Sequence, residues 1–241
     1  SMGNWDPSLD DTSVPSAGLL RDATAGNSTG AFYGDNLGLT EMPDSLTLTV
    51  AVADINVTDR DYWFEFLGDV GGNTRLDLDA FESKVSIDVW GAGTELSAPA
   101  IVNLADYTGA VSLTVTATWD FANGTLTYTV SGDGEGYTGE GSSAFSDTQT
   151  VAADLSAITN IKSMRVRGNT VAAGEYIDLD SVTIATGAAG STGGGDSVLI
   201  TETTFDEWSF TSGTPQTSDT LTKSMGNWDP SLDDTSVPSA G

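Results

Sequence analysis

The sequence predicts an all-β protein folded as a two-sheet antiparallel, jelly-roll-like sandwich. Nearly every ordered stretch of its 241 residues alternates apolar and polar side chains with a period of two, as strands with one buried face do. No segment sustains the period of about 3.6 residues that marks an amphipathic helix. The chain contains about ten strand-like runs, a number that favours two stacked sheets over one small barrel.

The clearest strand pair is a hairpin of residues 111–119 and 125–130. Each run places its apolar side chains on one face and mainly Ser or Thr on the other, so one face is buried and the other is wet. The loop between them ends in an Asn-Gly pair, which readily supplies the positive φ of a tight turn. A loop of this length predicts Trp119 opposite Leu126, with apolar residues facing each other along the whole pair.

A second hairpin joins residues 74–79 to residues 84–89. Its alternation predicts Leu76 opposite Ile87 on the core face. On the outer face, the same register brings Arg75 beside a carboxylate of the facing strand. Exposed ion pairs of this kind contribute under about 1 kcal/mol, so they mark the register and add little stability.

A third hairpin is predicted between residues 161–167 and 176–184, with Arg165 beside Asp180 on the outer face. Together the hairpins assign most of the few basic side chains to sheet surfaces, so no basic patch is left over. The remaining predicted strands are 46–57, 61–67, 100–104, 148–155 and 198–205.

The charge balance limits the partners that the protein can have. Eight Lys and Arg residues stand against 35 Asp and Glu residues, which gives a formal net charge of −27 at pH 7. Such a surface repels nucleic acid. No run approaches the roughly 18 apolar residues of a membrane span, so no membrane insertion is expected. The acidic composition suits an extracellular or cell-surface location in salty surroundings, where ions screen the self-repulsion.

Two residue types on which many catalytic sites depend are missing from the sequence. It contains no Cys and no His, which excludes thiolate and imidazole catalysis, His-assisted Ser nucleophiles and the usual zinc sites. We therefore expect that the protein is not an enzyme.

Both ends of the sequence carry the same 18 residues. Residues 1–18 read SMGNWDPSLDDTSVPSAG, and residues 224–241 repeat them without a mismatch. The offset of 223 residues is about the size of one large domain with its linker. Two explanations remain: a natural array of near-identical units cut out of phase, which we favour, or an engineered permutation with a duplicated segment.

The duplication divides the chain into four parts. Residues 1–18 are a copy from the start of a repeat unit, residues 19–186 form the main sandwich, and residues 187–197 have the Gly/Ser-rich composition of a flexible linker. Residues 198–241 are either the opening strands of the next unit or permuted strands that complete this sandwich. Because the two copies compete for one place in the fold, we expect head-to-tail association of copies by strand exchange.

Two acidic segments are candidates for a calcium site. Asp229, Ser231 and Asp233 put side-chain oxygens at alternate positions, as calcium loops do, although this segment lacks the central Gly and the distant Glu of an EF-hand. Asp133 and Glu135 form a second acidic loop. Asx-turn hydrogen bonding around a proline explains the first segment equally well, so calcium is a candidate cofactor and not a required one.

An aromatic run on one predicted strand supplies the candidate ligand site. Tyr62, Phe64 and Phe66 alternate with Trp63 and Glu65. The first three belong to the core. Trp63 beside Glu65 on the opposite, exposed face would form a platform on which a sugar ring stacks.

Two segments resemble a known family. WDFANGTLTYTV at 119–130 and IKSMRVRGNTVAAGEYIDLDSVTIAT at 161–186 resemble the concanavalin A-like, laminin-G-like sandwich domains of secreted bacterial surface proteins. In that family, a strand of the Arg-X-Arg type is followed by a Gly-rich loop and a closing Asp-rich strand. The resemblance implies a sandwich fold first, and glycan binding or adhesion second. The family's glycosidases carry a Glu-X-Asp-X-X-Glu strand that this sequence lacks, which again disfavours an enzyme.

The sequence thus supports two functions. The first is a structural repeat unit of an extracellular filament or a large cell-surface adhesin, assembled head-to-tail from copies of itself. The second is a non-catalytic, laminin-G-like carbohydrate-binding module that binds a polysaccharide, with calcium as a candidate cofactor. The long identical repeat favours the first function, because arrays of structural units accumulate identical copies.

Overall fold

The computed structural model describes residues 6–7, 12–13, 20–22, 30–37, 39–68, 74–169, 175–187 and 198–203, with the side chains of 37, 39–59, 61–68, 74–164 and 175–187. The described residues form sixteen strands and one short 3-10 helix, Leu104–Asp106. Within these ranges, no helix has the length and apolarity that a membrane crossing requires.

The strands lie in two sheets. In chain order they are β1 (Asp6–Pro7), β2 (Thr12–Ser13), β3 (Leu20–Asp22), β4 (Gly30–Asn36), β5 (Ser45–Asn56), β6 (Arg60–Leu67), β7 (Thr74–Phe81), β8 (Lys84–Gly91), β9 (Thr94–Ser97), β10 (Val102–Asn103), β11 (Val111–Asp120), β12 (Thr125–Gly134), β13 (Phe145–Ala152), β14 (Ser163–Asn169), β15 (Tyr176–Gly187) and β16 (Val198–Thr203). Sheet 1 has the order β1-β4-β14-β6-β7-β8-β10, with β9 also beside β8. Sheet 2 has the order β13-β12-β11-β5-β15-β3-β2, with β16 also beside β15.

The predicted fold class, an all-β antiparallel sandwich, is confirmed. The core lies between the sheets and consists of the alternating apolar residues of both. Trp119 is fully buried there, and its indole packs edge-on against Phe66 of sheet 1 with 5.2 Å between ring centroids. The Nε1 of Trp119 donates a hydrogen bond of 2.7 Å to the carbonyl oxygen of Trp90, so the one polar atom of this ring is satisfied.

The register of the β11–β12 hairpin agrees with the prediction. Trp119 pairs with Leu126 and Val115 pairs with Val130. Gly124 has the positive φ, 64°, that the Asn-Gly sequence indicates. The turn and the apolar alternation both required this register.

The predicted register of the second hairpin is wrong by two residues. Leu76 lies opposite Val89 instead of Ile87. The reason is the turn, which contains only Glu82 and Ser83, with φ values of 52° and 63°. Two consecutive positive φ angles are typical of a two-residue hairpin turn, but neither residue is the Gly or Asn that usually signals one. Because the error is an even number, every side chain keeps its predicted face.

The predicted third hairpin does not form. β14 lies in sheet 1 between β4 and β6, whereas β15 lies in sheet 2 between β5 and the edge strands. Arg165 therefore pairs in register with Glu65 and not with Asp180. Alternation specifies which face of a strand is buried, but it does not specify the neighbouring strand, and the two core-facing patterns fit different sheets equally well.

Short strands at the sheet edges come from both ends of the sequence. Within the first copy of the repeated segment, β1 pairs with β4 in sheet 1 and β2 pairs with β3 in sheet 2. β16 pairs with β15 along Val182–Thr186. The second copy, 224–241, and most of the predicted linker lie outside the described residues.

Candidate functional site

The outer face of sheet 1 brings aromatic and charged side chains together on three adjacent strands. In register, Trp63 of β6 lies opposite Asp77 of β7, which lies opposite Asp88 of β8. One row along, Arg75 lies opposite Trp90. We call these five residues the tryptophan face.

Arg75 is the centre of the tryptophan face. Its guanidinium carbon lies 4.6 Å from the ring centroid of Trp63 and 4.9 Å from that of Trp90. Its Nε donates a hydrogen bond of 2.9 Å to Oδ2 of Asp77. A cation held over two indoles gains attraction from both rings. The side chain remains 22% exposed, so the group is fixed in place and still reachable from solvent.

Asp77 is a carboxyl group in an unusual environment. It is only 5% exposed, and its Oδ1 has no hydrogen-bond partner among the described residues. Burial raises its pKa to about 7, although the neighbouring Arg75 acts in the opposite direction. Burial also raises the pKa of Asp88, which faces it. At neutral pH, Asp77 is therefore divided between its neutral and ionised forms.

A second polar atom of the tryptophan face also lacks a partner. The Nε1 of Trp90 is buried and makes no hydrogen bond within the described part of the chain. An unsatisfied buried donor or acceptor costs about 1–3 kcal/mol, so such groups are rare. Trp90 Nε1 is a donor, whereas Asp77 Oδ1 accepts when ionised and can donate when protonated. The tryptophan face thus holds one unsatisfied donor and one unsatisfied group that can accept or donate.

The two predicted ligand residues, Trp63 and Glu65, differ in their exposure to solvent. Trp63 is partly exposed and belongs to the tryptophan face, as the alternation predicts. Glu65 lies on the same strand but is only 3% exposed, so the expectation of an exposed position for it is wrong. Its neighbours in register are Arg75 on β7 and Arg165 on β14. The binding role of Trp63 and Glu65 stays a prediction.

The acidic loop with Asp133 and Glu135 lies at the end of β12, on sheet 2. Oδ1 of Asp133 accepts a hydrogen bond of 2.8 Å from the backbone N–H of Gly134. Hydrogen bonds from Ser143 and from that N–H lower the pKa of Asp133. Both acidic residues line a shallow, open depression of about 280 Å³.

Calcium binding stays a prediction. In the described part of the chain, no three or more acidic residues are grouped so that they could hold a metal ion. The other candidates, Asp229, Ser231 and Asp233, lie outside the described residues.

Of the five residues of the tryptophan face, the sequence analysis identifies only Trp63 as a site residue. The predicted register places Arg75 beside a carboxylate of the facing strand, Asp88, and it gives Trp90 no role. The correct register of β7 and β8, which places Arg75 opposite Trp90, would have found both. The signal in the sequence was the alternation of Ser86, Asp88 and Trp90 on the outer face of β8.

Comparisons with known proteins show similarity in structure alone. No protein-family model matches the sequence, and no curated protein matches it. The structure is similar to the seed lectin of Lotus tetragonolobus, at 13% identity over 79% of this chain and 92% of the lectin, with a TM-score of 0.45. It is similar to the lectin from Bauhinia forficata in complex with GalNAc, at 12% identity over 74% of this chain and 95% of that one, with a TM-score of 0.47. The binding domain of botulinum neurotoxin serotype D is similar at 9% identity over 73% of this chain and 41% of that one, with a TM-score of 0.45.

Proposed function

We propose that the protein is a non-catalytic carbohydrate-binding module located outside the cell or on its surface, and that the tryptophan face binds the glycan. The observation that carries this proposal is the fixed arrangement of Trp63 and Trp90 around Arg75 on a solvent-facing sheet. Flat indole rings bury the apolar faces of sugar rings, and planar donors bind the hydroxyl groups at their edges. Arg75 holds the two rings in one geometry, so little ordering is needed when the glycan binds.

The charge around the tryptophan face favours a neutral glycan. The outer positions of β6–β9 carry many carboxyl groups, which are Asp61, Glu65, Asp77, Asp79, Asp88 and Glu95. In a chain with a net charge of −27, a polyanionic glycan would be repelled over a long range. Hydroxyl groups of a neutral sugar can instead donate to these carboxylates.

Binding to soluble neutral polysaccharides in native affinity gels tests the proposal. A mixed-linkage glucan, a xylan and a galactomannan are the probes. We expect at least one of them to retard the wild-type protein, and Trp63→Ala and Trp90→Ala to raise the Kd at least tenfold. Phe81→Ala is the matched control, because Phe81 is an aromatic residue that is 64% exposed at the far end of β7. The proposal fails if no probe is retained, or if both tryptophan variants bind like the wild type.

A second candidate function is a structural repeat unit of an extracellular filament or adhesin. It is supported by the identical segments 1–18 and 224–241. The pairing of β16 with an edge of sheet 2 also supports it, because an edge strand supplied late in one chain could equally complete the sandwich of a neighbour. In this form the protein would assemble head-to-tail with copies of itself.

Light scattering after size exclusion tests this second function. The full chain is expected to form larger species as its concentration rises, and a chain that ends at residue 187 is expected to stay monomeric. Running both with and without calcium tests whether the ion assists. A full chain that is monomeric at every concentration would rule out strand exchange.

A further inference from the structure

The outer face of sheet 2 carries a regular array of hydroxyl side chains across five neighbouring strands. The array has three rows, each containing one residue from β13, β12, β11, β5 and β15 in that order. The first row is Thr148, Thr129, Thr116, Thr49 and Thr183; the second is Thr150, Thr127, Thr118, Thr47 and Ala185; the third is Ser146, Ser131, Thr114, Ala51 and Ser181. We call these residues the threonine array.

The threonine array contains no charged or aromatic side chain, although 18% of the sequence is charged. The equivalent face of sheet 1 carries Arg75, two tryptophans and several carboxylates. The array ends where the surface falls into a shallow depression of about 490 Å³, which has Asp133 and Asp180 on its lining. Charge is thus kept at the boundary of this face and out of its interior.

Hydrogen bonds between neighbouring strands order the hydroxyl groups of the array. In the first row, Thr49 bonds Thr116 at 3.0 Å, and Thr129 bonds Thr148 at 3.1 Å. The second row repeats this pairing, with Thr47–Thr118 at 3.1 Å and Thr127–Thr150 at 2.9 Å. Because β-branched side chains are also stiff about χ1, hydroxyls and methyls repeat in a fixed pattern. Each hydroxyl pair keeps one hydrogen and several lone pairs to offer outwards.

We propose that the threonine array is an ice-binding surface. Strands repeat about every 4.8 Å, and alternate residues along a strand repeat about every 6.7 Å, a rectangular spacing close to that of the oxygen atoms on the prism face of hexagonal ice. Ordered hydroxyls at this spacing can take the place of lattice water molecules, while the methyl groups lie against the ice without competing for hydrogen bonds. A charged side chain would order water in a different geometry, so a surface of this kind must exclude charge.

The composition of the array distinguishes ice from the other occupants of such a face. A glycan surface would contain an aromatic platform, which the array lacks and the tryptophan face has. If a second copy of the chain covered the array, hydroxyl groups would face hydroxyl groups across a dry interface. Some of their donors and acceptors would stay without a hydrogen bond, which costs free energy. Since sheet twist turns each strand by about 20° from the next, a planar lattice meets the array best at its centre, around Thr116.

Measurement of thermal hysteresis and of ice-crystal shape tests the proposal. Wild-type protein is expected to hold crystals faceted below the melting point. Thr116→Lys, which puts a charge at the centre of the array, is expected to lower the hysteresis at least tenfold, and Thr116→Ser to lower it less. Ser86→Lys is the matched control, because it makes the same change from hydroxyl to ammonium on the opposite sheet and should leave the hysteresis unchanged.

Several results would overturn the proposal. One is the growth of round ice crystals without thermal hysteresis in solutions of the wild-type protein. Another is a Thr116→Lys variant with the same thermal hysteresis as the wild type. A third result would be a wild-type protein that shows no hysteresis but self-associates or binds a polysaccharide. If Thr116→Lys abolishes that interaction, the threonine array is an interface with that partner and not with ice. Urea unfolding of each variant confirms that a loss of hysteresis does not come from a loss of fold.

Discussion

Replacement of Asp77 by Asn is expected to stabilise the protein at alkaline pH, even though Asp77 forms a 2.9 Å ion pair with Arg75. Burial raises the pKa of this carboxyl group from 3.8 to about 7 in the folded protein. Between these two values, the folded state binds more protons than the unfolded state. The contribution of Asp77 to the free energy of unfolding therefore falls as the pH rises from about 4 to about 7.

The magnitude follows from the shift. Each pKa unit corresponds to about 1.4 kcal/mol, so a shift of about three units makes the wild type lose up to about 4 kcal/mol across this window. Asn has nearly the shape of the neutral acid and never ionises. Relative to the wild type, Asp77→Asn should therefore be similar in stability near pH 4 and more stable by up to about 4 kcal/mol near pH 8.

Urea unfolding, followed by tryptophan fluorescence at a series of pH values, measures this difference. Asp147→Asn is a control, because the contribution of Asp147 to stability changes with pH in the opposite direction. Hydrogen bonds from Tyr128 and Gln149 lower the pKa of Asp147, so its contribution is present above its unfolded pKa and is lost as the pH falls. The reasoning about Asp77 is refuted if the stabilities of the wild type and Asp77→Asn run parallel between pH 4 and 8, or if the variant becomes relatively less stable as the pH rises.

Three further predictions concern the sandwich itself, and denaturant unfolding checks each of them. Trp119→Ala should cost about 3–5 kcal/mol, because it empties the site of a fully buried ring; a cost under about 1 kcal/mol would contradict the assigned core. Gly132→Ala should cost about 1–3 kcal/mol, since the new Cβ would lie 2.2 Å from the ring of Phe145 and 2.4 Å from a backbone carbonyl; a neutral result would show that the strand can shift. Ser83→Gly should stabilise by up to about 1 kcal/mol, because its φ of 63° suits glycine better, and a loss of stability there would argue against the two-residue turn.

Much of the fold could be predicted because alternation is a local property. The sequence of β11 alone identifies Val115 and Trp119 as core residues, and the turn after Trp119 fixes the partner strand. Where the turn uses residues without a strong preference, as at Glu82 and Ser83, the register could not be predicted.

The candidate sites were harder to predict because they depend on lateral order in a sheet. Trp63 was identified on its own strand, but its neighbours Arg75 and Trp90 belong to strands whose register had to be known. The threonine array is more extreme, since each strand shows only an ordinary polar face. The rows appear only when five strands are aligned, and the first and last of these in the sequence, β5 and β15, contribute residues more than 130 positions apart.

One edge of β15 is shared by two strands from distant parts of the sequence. β3 covers Ile177–Leu179, and β16 covers Val182–Thr186 on the same side. Leu20, where β3 begins, and Thr203, where β16 ends, therefore reach β15 only a few residues apart. Tension applied along the chain through these two points would load the short ladders of β3 and β16 before it reached the long central strands. The sandwich could then lengthen by peeling these strands and recover by re-pairing them, while its core stays folded.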